Sequence, residues 1–229
     1  MSNEGDLDRP RTRGRPARIS RERILSAARG IPRDALTMQR VAEALGVDPK
    51  ALNYHVGDRE GLRQLVALDV FEAELRRIEI PAGGDWREAV RSYVYAFREA
   101  VIKVGVLAES IRLPGRQGLG TLGPVERVLQ ALVDAGLDAD AAGRALTLFT
   151  DMGYAAGRDA LRLADDPVHP DVPGVETALK SASDNDFPVL RQVVAARAHA
   201  APDVGQLEFN LALVIAGLER IASDAGRTS

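Results

Sequence analysis

Leu36-Thr-Met-Gln-Arg-Val-Ala-Glu-Ala-Leu-Gly-Val-Asp-Pro-Lys-Ala-Leu-Asn-Tyr-His-Val56 holds two short helical patterns joined at a glycine. Thr37 is placed to cap the first, which turns Val41, Ala42 and Leu45 inward. Gly46 ends it, because glycine accepts the left-handed conformation that follows a helix. Asp48 caps the second and Pro49 occupies its first turn, where no N–H is needed. Val47 and Leu52 plug the joint, and the small Ala42 lets the two helices cross closely. This is the pattern of a helix-turn-helix. Its second helix is free to bring Lys50, Ala51, Asn53, Tyr54 and His55 to the major groove or to phosphates. The same string also fits an ordinary helical hairpin, so its surroundings carry weight.

Those surroundings are basic. Residues 9–63 hold 13 Lys/Arg against 6 Asp/Glu, whereas residues 64–229 hold 17 against 24. A basic front and an acidic rear point to nucleic acid at the front only. Upstream, Ser20 can cap a helix carrying Ile24, Leu25 and Ala28 on one face. Downstream, Asp58 can cap a long helix running to about Arg77. Residues 1–18 lack apolar periodicity and read as flexible. Within them Arg9-Pro-Arg-Thr-Arg-Gly-Arg-Pro-Ala-Arg18 resembles an AT-hook, with Arg13 and Arg15 as candidates for a narrow minor groove. A disordered basic tail with nonspecific attraction fits equally well.

The remainder is read as helical too. Ile80-Pro81-Ala82-Gly83-Gly84 is a break, and Asp85 with Glu88 reads as a capping box. The next helix puts Val90, Tyr93, Val94, Phe97, Val101 and Val104 on one face. A short helix is expected around 106–112, a glycine-rich loop from Pro114 to Gly123, and an apolar helix over 125–136. Asp138 can cap a helix whose stripe Leu146, Phe149, Gly153, Ala156, Ala160 and Leu163 has heptad spacing. That stripe suits a partner helix, or burial within one subunit. Residues 164–186 read as a mobile acidic loop. Pro188 starts a short helix, and Asp203 caps a last one carrying Leu207, Leu211, Val214, Leu218 and Ile221. No segment alternates like a strand, so nine or ten helices are expected. The domains are a flexible basic arm over 1–19, a three-helix DNA-binding domain over 20–66 and a larger regulatory and dimerisation domain over 67–229.

Composition narrows the chemistry. The chain has no cysteine, hence no disulfide or thiolate site. It shows no secretory signal and no apolar stretch near the roughly 20 residues of a membrane span, so a cytoplasmic location is expected. Gly118-Leu-Gly-Thr-Leu-Gly123 matches the dinucleotide pattern G-x-G-x-x-G, but that fingerprint needs a preceding strand, and helices flank it here. No cofactor is expected, and no nucleophile–base pair or metal cluster is recognisable.

Ser20 to about Val70 resembles the DNA-binding domain of TetR-family regulators, through "LTMQRVAEALGVDPKALNYHV" followed by "GDREGL". "GDW" and "LEFNLALVIAGLERI" resemble the tetracycline-repressor branch of that family. The resemblance implies a homodimeric repressor that binds double-stranded operator DNA and is released by a small effector. It implies DNA contacts at Thr37, Gln39, Lys50, Ala51, Asn53, Tyr54, His55 and Arg59. Tyr54 and His55 would meet the backbone, Arg59 would take the place of a usual lysine at a phosphate, and Asn53 replaces a more common tyrosine. Residues 140–163 and 203–223 occupy the places of the branch's dimer helices, and the small Gly153, Ala155, Ala156 and Gly157 suit close packing there.

An effector pocket is expected between residues 75 and 158. Leu75, Tyr93, Phe97, Ile111, Phe149 and Met152 would line it, with Arg98, Arg112 and Asp151 to orient a polar group. Aligned through Trp86, Leu75, Tyr93 and Ile111 replace polar and metal-coordinating side chains of the tetracycline repressor. The histidines, His55, His169 and His199, lie elsewhere. The expected effector is therefore organic, largely apolar and metal-free. An effector-independent dimeric DNA-binding protein is the alternative, and a helical enzyme a further one.

Overall fold

A computed structural model describes residues 19–77, 84–111, 119–165, 171–183, 185–198 and 204–228. Among these residues there are ten α-helices, two 3-10 segments and no strand. They fall into two compact units, one ending at Leu65 and the other beginning at Val66.

The first unit holds α1 (Arg21–Arg29), α2 (Met38–Leu45), α3 (Pro49–Val56) and the start of α4 (Arg59–Leu75). Its helix ends are set by local hydrogen bonds. Ser20 Oγ accepts from the Arg23 N–H at 3.3 Å, and Thr37 Oγ1 from the Arg40 N–H at 3.2 Å. Asp48 Oδ1 accepts from the Lys50 N–H at 2.7 Å, and Asp58 Oδ1 from the Gly61 N–H at 2.8 Å. Each satisfies a donor that the first helical turn leaves open. Gly46 stops α2 in the left-handed region, with φ 67° and ψ 36°. Gly57, with φ 78° and ψ −75°, forms a three-residue γ-turn in which the Asp58 N–H donates to the Val56 carbonyl at 3.0 Å. Ile24, Leu25, Ala28, Leu36, Val41, Ala42, Leu52 and Leu62 are buried and hold the unit together.

The second unit is organised on α5 (Trp86–Val104). The whole apolar face expected of this helix is buried: Val90, Tyr93, Val94, Phe97, Val101 and Val104. A 3-10 segment, Gly105–Ser110, follows where a short helix is expected. α6 (Leu119–Asp134) and α7 (Ala139–Asp165) both pack on α5. Asp138 caps α7, its Oδ1 accepting from the Ala141 N–H at 2.8 Å. α8 (Asp171–Ser181) and α9 (Pro188–Ala198) form a hairpin, and α10 (Val204–Thr228) completes the described chain. Arg191 closes the hairpin by donating to the carbonyls of Leu179, Ser183 and Asp186. Three side chains of α5 tie α10 down. Arg87 bonds Glu219 at 2.6 Å, Arg91 bonds Glu208 at 2.6 Å, and the Tyr95 hydroxyl donates to Glu208. The hydroxyl, foremost, holds the Glu208 carboxyl below its ordinary range.

Four expectations change. The loop expected from Pro114 to Gly123 is helical from Leu119 on. Pro124 is buried in the second turn of α6, so packing outweighs the poor helix propensity of the glycines before it. The loop expected over 164–186 contains α8. Its Pro173 sits in the first turn, where the missing N–H costs nothing, and Leu179 is buried.

Part of the α7 stripe packs inside the subunit: Phe149, Gly153 and Ala156 are buried, while Leu146, Ala160 and Leu163 are half-buried. A Cβ on Gly153 would lie 3.0 Å from the Phe97 Cβ, and one on Gly157 would lie 2.7 Å from the Val101 Cβ. The two glycines thus let the backbones of α5 and α7 approach. Finally, Leu207, Leu211 and Leu218 of α10 are buried within the subunit together with Ile215, a position the sequence reading passes over for Val214. Among the described side chains of α10, the large apolar ones left in the open are Phe209, Leu213 and Ile221.

Candidate nucleic-acid interface and effector site

α3 is held by a single fully buried side chain, Leu52. Val56, at its end, is half-buried. Lys50, Asn53, Tyr54 and His55 are all exposed, and Ala51 is half-buried. Tyr54 is 90% exposed and so adds little to the packing of the unit. It meets the His55 ring edge-on with centroids 5.5 Å apart. Lys50, Asn53 and Tyr54 share one face by their three- and four-residue spacing. Arg59 is exposed in the first turn of α4.

On α2, Val41 and Ala42 face inward, while Gln39, Arg40, Glu43 and Ala44 form the outer face. Thr37 is half-buried and its oxygen is engaged in the α2 cap. Arg40 is missing from the candidates read from the sequence. Its signal is a cation in the first turn of the leading helix, next to Gln39. Arg13 and Arg15 lie outside the described residues, as does the arm to which they belong.

The effector candidates form a different kind of place. Leu75, Tyr93, Phe97 and Phe149 are buried in the second unit, none more than 9% exposed. Phe97 stands edge-on to Phe71 at 4.9 Å and tilted to Tyr93 at 6.0 Å. Phe71 is therefore a member of this cluster that the sequence reading lacks, one turn before Leu75 on α4. The Tyr93 hydroxyl meets Thr150 Oγ1 at 3.3 Å, and Thr150 donates to the Leu146 carbonyl at 2.9 Å. With its proton committed there, Thr150 acts as acceptor and Tyr93 as donor. Burial pushes the Tyr93 phenol above its ordinary range.

Met152 and Ile111 are half-buried. Arg98 keeps 16% of its side chain exposed and pairs with Glu99. Asp151 faces solvent, which removes it from the expected polar set: two helical positions beyond buried Phe149 place it on the far side of α7. Arg112 lies outside the described residues. A shallow groove bounded by Asp58, Arg59, Glu60 and Arg63 lies in the first unit and involves none of the effector candidates. Among the described residues no cluster of His, Asp or Glu is arranged to hold a metal ion, and no helix is long and apolar enough to cross a membrane.

A projecting recognition helix in the first unit, joined in one chain to an all-helical second unit, defines a DNA-binding transcriptional regulator. Residues 80–222 match the family model of the tetracyclin repressor-like C-terminal domain, and the chain belongs to the TetR family. It is 30% identical to the class A tetracycline repressor of transposon 1721 from Escherichia coli over 189 residues, 82% of each chain. It is 30% identical to the class D tetracycline repressor of Escherichia coli over 94 residues, but that match spans only 42% of the class D protein. Among solved structures it is similar to the TetR family protein ActR of Streptomyces coelicolor. The apo form has 26% identity and a TM-score of 0.73, covering 90% of this chain and 99% of that one. The complex of ActR with actinorhodin has a TM-score of 0.71 over the same coverage.

Proposed function

We propose that the protein is a homodimeric repressor that holds operator DNA through α2 and α3 and releases it when an organic, largely apolar effector enters the second unit. The functional division is a basic arm over 1–19, a DNA-binding domain over 20–66 and a regulatory domain over 67–229. The observation that carries the reading is α3 itself, anchored by the fully buried Leu52 with Ala51 and Val56 half-buried, and presenting Lys50, Asn53, Tyr54 and His55 outward. His55 and Arg59 serve the phosphates, which position the protein, whereas Lys50 and Asn53 serve base edges, which specify the site. An asparagine amide matches the N6 and N7 edge of adenine.

Selection of binding sites from random DNA tests this division. The native protein is expected to return a two-fold symmetric motif. Lys50→Ala and Asn53→Ala are expected to return altered motifs, losing about 1–3 kcal/mol of discrimination at the positions they contact. Arg59→Ala is expected to weaken binding to all sequences and to lower the slope of log affinity against log salt by about one. An unchanged motif from both Lys50→Ala and Asn53→Ala refutes their assignment to bases.

The effector reading rests on the cluster of Phe71, Leu75, Tyr93, Phe97 and Phe149 and is supported by ActR, which has been crystallised with both actinorhodin and (S)-DNPA. Because these side chains are packed, an effector acts by selecting a more open state, and it shifts the balance only through unequal affinity for the two states. Leu75 and Ile111 carry no lone pair, so a metal-bound ligand of the tetracycline type has no anchor at those positions. Tenfold loosening of operator DNA needs about 1.4 kcal/mol of coupling, and DNA then weakens effector binding equally. Operator release by the effector is expected to persist in excess EDTA. Release that vanishes with EDTA and returns with magnesium refutes the metal-free reading.

A further inference from the structure

On the outer face of α2, the amide nitrogen of Gln39 donates to Glu43 Oε1 at 3.1 Å, four residues on. A carboxylate only accepts hydrogen bonds, whereas an amide has a donor end and an acceptor end. The pairing therefore fixes which way the amide points: NH2 toward Glu43, carbonyl oxygen away from it. A glutamine with no such neighbour presents either end at little cost. Here the free edge of the amide offers one acceptor together with the second N–H. That is the pair that meets adenine, whose N6 donates and whose N7 accepts.

The carboxylate gives a second argument. Both side chains are exposed on the helix that approaches the duplex in a helix-turn-helix. An anion placed against the phosphates repels them, so Glu43 is tolerable only where its neighbour reaches past the backbone to a base. A glutamine working as a phosphate anchor would turn both N–H bonds of its NH2 outward, whereas here one of them is held by Glu43 and the carbonyl oxygen, which a phosphate repels, shares the free edge. We propose that Gln39 reads an adenine in the operator and that Glu43 is the positioning residue that orients its amide. This rests on the reading of α2 and α3 as the operator-binding element.

The test is site selection and competition binding with the full chain, comparing the native protein with Gln39→Ala, Glu43→Ala and Glu43→Gln. Gln39→Ala is expected to lose an adenine preference at one position of each half-site and to keep the rest of the motif. Glu43→Ala is expected to weaken the same preference by roughly five- to tenfold, consistent with one well-oriented amide contact. Loss of the negative charge is expected to raise its affinity for nonspecific DNA at the same time. A merely structural role for Glu43 would lower both together. Glu43→Gln keeps an acceptor and is expected to restore much of the adenine preference. A Gln39-dependent position that is not adenine, or an adenine preference untouched in Glu43→Ala, overturns the proposal while leaving the operator reading intact. A native protein that selects no motif at all overturns the operator reading as well.

Discussion

Replacing Phe209 and Leu213 together by aspartate is expected to leave a folded chain that sediments as a monomer and no longer holds its operator. The two side chains are 61% and 59% exposed in the single subunit, one helical turn apart on α10. They add nothing to the subunit core, and exposed replacements of this kind change stability by within about 0.5 kcal/mol. In a two-fold dimer the same patch is used by both copies. Four large side chains are then withdrawn from water, each contributing about 1.5–3 kcal/mol. Losing them costs about 6–12 kcal/mol of association, before the added penalty of four carboxylates facing one another. A shift of that size moves a dimer dissociation constant by more than roughly four orders of magnitude. Operator binding falls with it, because a palindromic site is held by two linked recognition helices.

Leu211→Asp is the contrasting variant. Leu211 is fully buried in the subunit, so that change is expected to unfold the second unit rather than split a dimer. Sedimentation of the native and doubly substituted chains, with circular dichroism of both, separates the outcomes. A native monomer at micromolar concentration, or a double variant that remains dimeric, would falsify this placement of the interface.

The difference between Leu211 and Phe209 shows what a sequence pattern carries. The DNA-binding element is legible because its determinants are local. Thr37, Gly46, Asp48 and Asp58 each act on backbone atoms within a few residues, and the structure has all four doing so. The face of α5 is legible for a similar reason, since periodicity states which side of a helix is buried. Periodicity does not state what that side is buried against. Heptad spacing in α7 serves a neighbour in the same chain as well as one in another, and Gly153 and Gly157 turn out to face Phe97 and Val101. On α10 the apolar residues surround too much of the helix for spacing alone to divide core from interface. α8 and the start of α6 are hidden by Pro173, Gly120, Gly123 and Pro124, which read as loop residues, although Pro173 and Gly120 fall in first turns and Pro124 is buried. Of the candidate sites, the protruding residues of α3 follow from the motif. The Gln39–Glu43 pair and the Tyr93–Thr150 contact depend on side-chain geometry that no spacing rule supplies.

Gly157→Val is expected to destabilise the second unit severely, and smaller changes on α7 give the effect a sign test. A Cβ at position 157 would sit 2.7 Å from the Val101 Cβ and 2.9 Å from the Arg98 carbonyl oxygen. One of these is backbone and the other is the stem of a branched side chain, so neither can turn aside and α5 and α7 must separate. Overfilling a packed seam costs about 1–3 kcal/mol, and valine adds two further methyl groups to the overlap. Alanine is the milder case. It gains about 0.5–1 kcal/mol over glycine in a helix interior, which offsets part of the overlap but not its upper range.

Gly143 lies on the same helix, where a Cβ would meet nothing within 4 Å. Gly143→Ala therefore keeps the helix gain and is expected to raise the melting temperature by about 1–4 °C, at roughly 2–4 °C per kcal/mol for a unit of this size. Gly157→Ala is expected to lower it, and Gly157→Val to lower it further, with effector response and dimer-dependent operator binding lost together as the second unit unfolds. Thermal unfolding followed by circular dichroism reads all three. If Gly157→Ala stabilises the protein as much as Gly143→Ala does, the close approach of α5 and α7 is not a feature of the folded chain.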